Sequence, residues 1–369
     1  MHEEWIANRM ASIELSGIRR VFQLARTLKD PVNLSIGQPH FDVPEPIKKA
    51  ACEAINCGNN GYTTTQGIPV LYDRLQSEVS QRLGHADRTV TVTSGTSGGL
   101  FLALMTTVNP GDEVIVFDPY FVSYPHLLSL TGGKMIVVDT HPTFEIDLDR
   151  VRAAISPKTK AIIVNSPSNP SGAVLSRETL RGLAELADRH GILLISDEIY
   201  HAFCYDAAFC SPAEFSPNVL VIDGFGKTYG MTGWRMGFAH GPRKLIDEMI
   251  KLQQFTFVCA PSMAQHAMLT AFDVDVTAVV ADYRQKRDRL CAGLRGDYEF
   301  RVPGGAFYLY VKTPSGSGTA WVHRAIERNL LIIPGTTFSR HDTHFRVSYA
   351  AEDTTIDRGI EILSRLARL

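Results

Sequence analysis

Between residues 89 and 240, short apolar runs alternate with segments whose apolar residues recur at helical spacing. The runs are TVTVTSG, DEVIVFD, KMIVVD, KAIIVN, GILLISDE and NVLVID. Strand-length runs separated by helices predict a largely parallel sheet with helices covering it, because strands buried on both faces read as continuous apolar stretches. One such helix is predicted near 177–190, where Leu180, Leu183, Ala184 and Ala187 share a face and Gly191 follows as a cap.

The last ninety residues have a different rhythm. Paired strands are predicted within EFRVPGGAFYLYVK (299–312), a helix near 319–329, a strand at HFRVSYA (344–350) and a closing helix with Ile356, Ile360, Leu363 and Ala367 on its apolar stripe. This is the pattern of a separate α+β unit. KTPSGSGT (312–319) reads as a surface loop.

Composition narrows the function classes. With 369 residues, 44 % of them hydrophobic, 21 % charged and a formal net charge of −2, the chain is an ordinary globular protein without a nucleic-acid footprint. MHEEWIANRM lacks the pattern of a secretion signal, and no apolar stretch is long enough to span a bilayer, so a cytoplasmic location is expected. The six cysteines have no C-x-x-C spacing, and no metal site is expected.

Candidate chemistry begins at FGKTYGMTGWRMGFAHG (225–241), where Lys227 lies among glycines and Arg235 follows eight residues later. A lysine used as a covalent catalyst must meet a carbonyl carbon whose carrier is held elsewhere, and an arginine is suited to hold an anionic carrier. Gly224, Gly226, Gly230 and Gly233 are read as giving the backbone its compactness. The phosphate-loop pattern G-x-x-x-x-G-K-[ST] fails because its first glycine is replaced by Val221. NVLVID places Lys227 just past a strand's carboxyl end, where open α/β sheets bind ligands.

Other strand ends carry matching groups. Asp197 in GILLISDEIY can be a helix cap or a carboxylate that keeps a pyridine nitrogen protonated. Tyr200 and Asn169 can hydrogen-bond a ring phenolate, although an Asn-Pro-Ser-Gly turn is the plainer reading of Asn169. In TSGTSGGLFLAL, Gly95, Thr96 and Ser97 open a helix directly after a strand, which suits a phosphate as well as an ordinary capped helix. Phe121 is a core aromatic or a ring-stacking one. Phosphate, aldehyde, pyridine nitrogen and phenol are the four features of pyridoxal 5′-phosphate.

On these residues the chain resembles the fold-type I pyridoxal phosphate aminotransferases of class I/II, the aspartate aminotransferase-like family. SIGQPHFDVP (35–44), YTTTQGIPVL (62–71), NSPSNPSG, SDEIY, GKTYGMTGWRMGF and FRVSYA fall in the family's order over nearly the whole length. The resemblance implies an α/β fold whose large domain (45–275) has a mostly parallel seven-stranded sheet. Residues 1–44 would form an N-terminal arm and part of a small domain, and 276–369 the rest of that domain. It implies Lys227 as the Schiff-base lysine, Asp197 at the pyridine nitrogen, and Tyr200 and Asn169 at the phenolate. Gly95, Thr96, Ser97 and Arg235 would hold the phosphate and Phe121 would stack on the ring. Gly37, Asn169 and Arg346 would bind substrate, with Arg346 gripping its α-carboxylate. Tyr62 would reach the neighbouring subunit's cofactor, which implies a homodimer with shared active sites.

The implied reaction is ping-pong amino transfer from an L-amino acid, aspartate or aromatic favoured, to a 2-oxoacid such as 2-oxoglutarate. The alternative on the same fold is a C–S lyase of the cystathionine β-lyase type. A transcription regulator with an aminotransferase-like module would carry a winged-helix domain, for which the 35 or so residues before the first motif leave no room. The family's S-x-S-K is departed from at Gly224 and Gly226, which removes a phosphate hydroxyl. Met105 replaces a lysine that aspartate-specific relatives use for a second carboxylate, and ELSGIRRV (14–21) is a further candidate for side-chain recognition.

Overall fold

A computed structural model describes residues 5–15, 17, 21 and 28–368. Residues 16 and 18–20 of the 14–21 segment lie outside the described residues. The chain forms β1 (Val32–Asn33), β2 (Arg88–Ser94), β3 (Glu113–Asp118), β4 (Lys134–Asp139), β5 (Thr159–Asn165), β6 (Leu193–Asp197), β7 (Leu220–Gly224) and β8 (Met236–Pro242). A seven-stranded sheet runs in the order β2-β8-β7-β6-β5-β3-β4. β8 runs antiparallel to both its neighbours, β2 and β7, and the other pairings are parallel.

The apolar runs are continuous because the sheet is buried on both faces. Val114, Val116, Ile163, Ile195 and Ile222 point into one core with Leu100, Leu102, Leu128 and Met249 from the helices Gly95–Thr107, Ser123–Thr131 and Arg243–Gln254. The alternate residues Ile115, Ile162, Val164, Leu194 and Val221 point into the other, against Leu183 and Ala184 of the helix Arg177–His190. Each such side chain contributes roughly 1.5–3 kcal/mol through burial. Gly191 ends that helix at φ 63°, as its place after the last turn predicts.

The six sequence-predicted strands are all present. The seventh, β8, lies inside the glycine-rich MGFAHGP, where apolar periodicity is interrupted. Small residues are required there by close approach: a Cβ on Gly237 would lie 2.6 Å from the carbonyl carbon of Gly95 and 2.8 Å from the Thr96 nitrogen. The antiparallel strand therefore presses against the start of the helix that opens at Gly95.

The C-terminal region adds β9 (Glu299–Phe300), β10 (Tyr308–Lys312), β11 (Leu330–Leu331), β12 (Ile333–Pro334) and β13 (His344–Ser348). Four of these form an antiparallel sheet, β12-β13-β10-β9, while β11 pairs in parallel with β1. Phe345 and Val347 enter a core with Ile356, Leu363 and Tyr283, so the period of two turns Arg346 to the opposite side. The 312–319 stretch is only partly a loop, since Ser317 caps the helix Gly318–Ile326 by accepting a hydrogen bond from the Ala320 N–H.

Candidate active site

The parallel strands end on one edge of the sheet, and there Asn165 of β5 lies in register with Asp197 of β6. A cavity of about 870 Å³, counted with its open mouth, occupies that edge. Eleven of the twelve residues singled out in the sequence line it: Gly37, Gly95, Thr96, Ser97, Phe121, Asn169, Asp197, Tyr200, Lys227, Arg235 and Arg346. Tyr62 does not, being 88 % exposed on the surface of its own chain.

Lys227 stands on the connection between antiparallel β7 and β8, which carries it past the strand ends. Its Nζ donates to the Gly37 carbonyl and lies 5.9 Å from the ring centres of Tyr200 and Phe307. Burial draws its pKa down to about 8, and the positive charges of Arg346 and Arg235 push the same way while Asp197 opposes them. The neutral amine is the nucleophile, so reactivity must rise with pH through that value. In the chain without added ligand, trinitrobenzenesulfonate labelling of Lys227, followed by peptide mass mapping, should have a midpoint near pH 8. A midpoint above about 10, the ordinary lysine range, would contradict this environment.

The glycines around Lys227 divide into two kinds. Gly230 has φ 67° and packs so that a Cβ would lie 2.8 Å from the Phe41 carbonyl oxygen; Gly224 would place one 3.0 Å from the Met236 oxygen. Gly233 faces open space, and a Cβ at Gly226 finds its nearest neighbour at 3.4 Å, so neither enforces the compactness read from the sequence. Of the two positions, 224 and 226, only 226 therefore has room for serine. Gly226→Ser should leave the thermal midpoint nearly unchanged, whereas Gly224→Ser should cost roughly 1–3 kcal/mol by overpacking; equal effects in calorimetry would refute the distinction.

Asp197 is buried and accepts a hydrogen bond from Tyr124 Oη at 2.9 Å. Burial lifts its pKa to about 6, with Asp223 adding to the rise against the Tyr124 and Ile199 N–H bonds and the Lys227 charge. Asn165 ties the neighbourhood together, its Nδ2 donating to the Asp197 carbonyl and its Oδ1 accepting from the Asn169 N–H. At the other wall the Gly95–Thr107 helix opens directly under Arg235. Gly95 adopts φ 68°, and a Cβ there would meet Arg235 Nη2 at 2.5 Å. Arg235 itself is in the left-handed region at φ 55°, with Nη1 donating to the Thr232 carbonyl at 2.9 Å. Backbone N–H groups and a guanidinium thus converge on a space shaped for an anion.

Arg346, fully buried, lies between the rings of Tyr308 at 4.5 Å and Phe338 at 4.7 Å. It donates from Nη1 to Asn169 Oδ1 at 2.9 Å and from Nη2 to the Ser35 carbonyl at 2.7 Å. Its Nε is buried with no hydrogen-bond partner, and the guanidinium has no carboxylate within ion-pair distance among the described residues. Such a cation calls for an anionic ligand.

Sequence reasoning missed Tyr308, Tyr124, Asn165 and Thr232. Tyr308 Oη bonds Tyr200 Oη at 2.8 Å across 108 positions, a proximity created by docking β10 beside the β6 end. Asn165 was legible as a polar residue closing an apolar strand. Met105, by contrast, lies near the far end of its helix, about 15 Å along the axis from Gly95, and is absent from the cavity wall. It therefore carries no information about a second carboxylate.

A lysine whose pKa is drawn down, a buried carboxylate and two arginines thus line one cavity at the carboxyl edge of an α/β sheet. The family model for aminotransferase class I and II matches residues 29–363. A probable aspartate aminotransferase of Methanocaldococcus jannaschii is 36 % identical over 98 % of this chain and 99 % of its own. An aspartate/prephenate aminotransferase of Thermus thermophilus is 36 % identical over 94 % of each. Among solved structures, Thermus thermophilus aspartate aminotransferase with maleate superposes with a TM-score of 0.92 at 35 % identity, covering 98 % of this chain and 99 % of that one. The Thermotoga maritima enzyme gives 0.94 at 31 % identity, over 99 % and 100 %. The chain belongs to the class I and II aminotransferase family and is a transaminase; the comparisons do not favour the C–S lyase alternative.

Proposed function

We propose that the chain is a pyridoxal 5′-phosphate-dependent aminotransferase taking L-aspartate or an aromatic L-amino acid as donor and 2-oxoglutarate as acceptor. One observation carries the reading: a lysine amine near neutrality shares a cavity with a buried arginine that lacks a carboxylate partner. The fit to the cofactor rests on the cradle over Gly95, which any Cβ would fill, and on Asp197, a buried carboxylate with no cation bonded to it among the described residues.

In this reading the N–H groups of Gly95, Thr96 and Ser97, with Arg235, hold the phosphate, and Phe121 stacks on the ring. Asp197 keeps the pyridine nitrogen protonated, its own orientation fixed by Tyr124. Tyr200 and the Asn169 amide donate toward the phenolic oxygen, and Tyr308 steadies Tyr200. When bound, the cofactor supplies the carbonyl that accepts the amino group and the ring that delocalises the electron pair left at Cα. Lys227, positioned by the Gly37 carbonyl, collects the Cα proton and returns it. Arg346 grips the α-carboxylate as a bidentate pair while Gly37 covers the substrate.

The boundaries 1–44, 45–275 and 276–369 fit a large cofactor domain and a smaller one that carries Arg346. A homodimer is part of the proposal. Tyr62, Phe255, Phe257 and Ser97 are all exposed, and the segment that carries Tyr62 is held by Gln253 Nε2, which donates to the Thr65 carbonyl at 2.6 Å. From there it is offered to a second subunit's phosphate. No helix among the described residues is long and apolar enough to cross a membrane, and a cytoplasmic location is proposed. The experiment is a donor panel against the cofactor-loaded enzyme without any oxoacid. Stoichiometric oxaloacetate from aspartate, or aryl oxoacid from an aromatic donor, supports the assignment; reaction only with alanine or branched-chain donors overturns it.

A further inference from the structure

Outside the cavity, the carboxyl ends of β3 and β4 meet the 339–344 segment at a second cluster of chemistry-bearing side chains. Asp139, His141 and His341 each bring one ligand-type atom to within 4.8 Å of the others. His141 Nδ1 is 2.9 Å from Asp139 Oδ1, and His341 Nε2 is 3.1 Å from Asp139 Oδ2. Behind them lies Asp118, whose side chain is 1 % exposed. Its Oδ2 accepts from the Arg340 N–H at 2.9 Å, but its Oδ1 is buried with no hydrogen-bond partner and points to His141 Nδ1 at 3.7 Å. An orphaned buried carboxylate oxygen facing an imidazole is costly unless a cation completes it.

We propose that Asp118, Asp139, His141 and His341 form a binding site for a first-row divalent transition metal, with Zn²⁺ the best match. Metal–ligand bonds of about 2.0–2.2 Å place tetrahedral donors roughly 3.3–3.6 Å apart. The observed separations of 2.9, 3.1 and 3.7 Å bracket that spacing, so small side-chain shifts suffice. Two imidazoles with two carboxylates favour Zn²⁺ over Mg²⁺ or Ca²⁺, which take all-oxygen shells. Asp139 and His341, with side chains 45 % and 43 % exposed, give the ion its way in. His344 is a neighbour, its ring centre 5.2 Å from that of His141, and is not among the residues whose ligand-type atoms converge. The donors come from positions 118, 139, 141 and 341, which is why no short ligand spacing in the sequence announces the site.

The ion would fasten two distant parts of the chain. The 338–341 segment already docks on residues 118–120 through the Tyr120 N–H and Phe338 carbonyl at 2.8 Å, and Phe338 covers the Arg346 guanidinium. Occupancy therefore holds the backbone that seats Arg346. This inference stands apart from the proposed substrate and cofactor.

The test is equilibrium dialysis of the cofactor-loaded full chain against Zn²⁺, with metal counted by mass spectrometry and Co²⁺ used as a visible probe of geometry. One ion per chain is expected, with intense tetrahedral Co²⁺ bands and a raised thermal midpoint. His341→Ala, at an exposed position that leaves the core intact, should weaken binding at least about tenfold and abolish the thermal shift. Asp118→Asn should weaken it as well. No stoichiometric ion in the wild-type protein, or equal binding in His341→Ala, would overturn the proposal.

Discussion

Lys227→Ala is expected to lose at least about 10⁴-fold in kcat, beyond the usual worth of a single acid–base group, because in the proposed function the same amine is also the covalent anchor. Its fold should survive. Nζ makes one hydrogen bond, to the Gly37 carbonyl, and burial already disfavours its charged form, so truncation removes a desolvated cation and not a packing element. Circular dichroism and the thermal midpoint should match the wild type while the visible absorbance of bound cofactor is lost. Added methylamine should restore part of the turnover, since it replaces the base without the tether. Turnover within tenfold of wild type would show that another group moves the Cα proton.

The second large effect falls on Arg346→Lys. The change keeps the positive charge but loses the planar fork that matches a carboxylate, and it strands Asn169 Oδ1 and the Ser35 carbonyl, which the guanidinium now satisfies. Disrupting a buried charge pair costs about 2–5 kcal/mol, or roughly 30- to 5,000-fold. The loss should appear in kcat/KM for amino acids with a free α-carboxylate, while cofactor absorbance and affinity are retained. A smaller loss with amines lacking that carboxylate would separate recognition from general damage; equal losses with both would assign Arg346 a structural role instead.

How far the sequence reveals this enzyme depends on how each feature is encoded. Strands β3 and β5 to β7 are legible because burial on both faces demands unbroken apolar runs, and Leu183 and Ala184 declare their helix by spacing. Strand β8 is not, since Gly237 is dictated by contact with the Gly95 backbone and erases the apolar signal. Lys227, Asp197 and Arg346 stand out through their motifs, but nothing local shows that Arg346 lies between Tyr308 and Phe338, or that Tyr124 bonds Asp197. Those contacts are products of tertiary packing, across 73 positions in the case of Tyr124 and Asp197. The glycines misled in part: Gly230 is forced by its backbone and by Phe41, while Gly233 faces open space.

In the proposed function one amine, Lys227, both carries the cofactor and gives it up when an amino donor arrives. Borohydride reduction of the cofactor-loaded enzyme followed by peptide mass mapping addresses it directly. A pyridoxyl mass is expected on Lys227 alone, lost when L-aspartate or an aromatic donor is added first and regained after 2-oxoglutarate. A label on any other lysine, or one on Lys227 that no amino acid displaces, would contradict it.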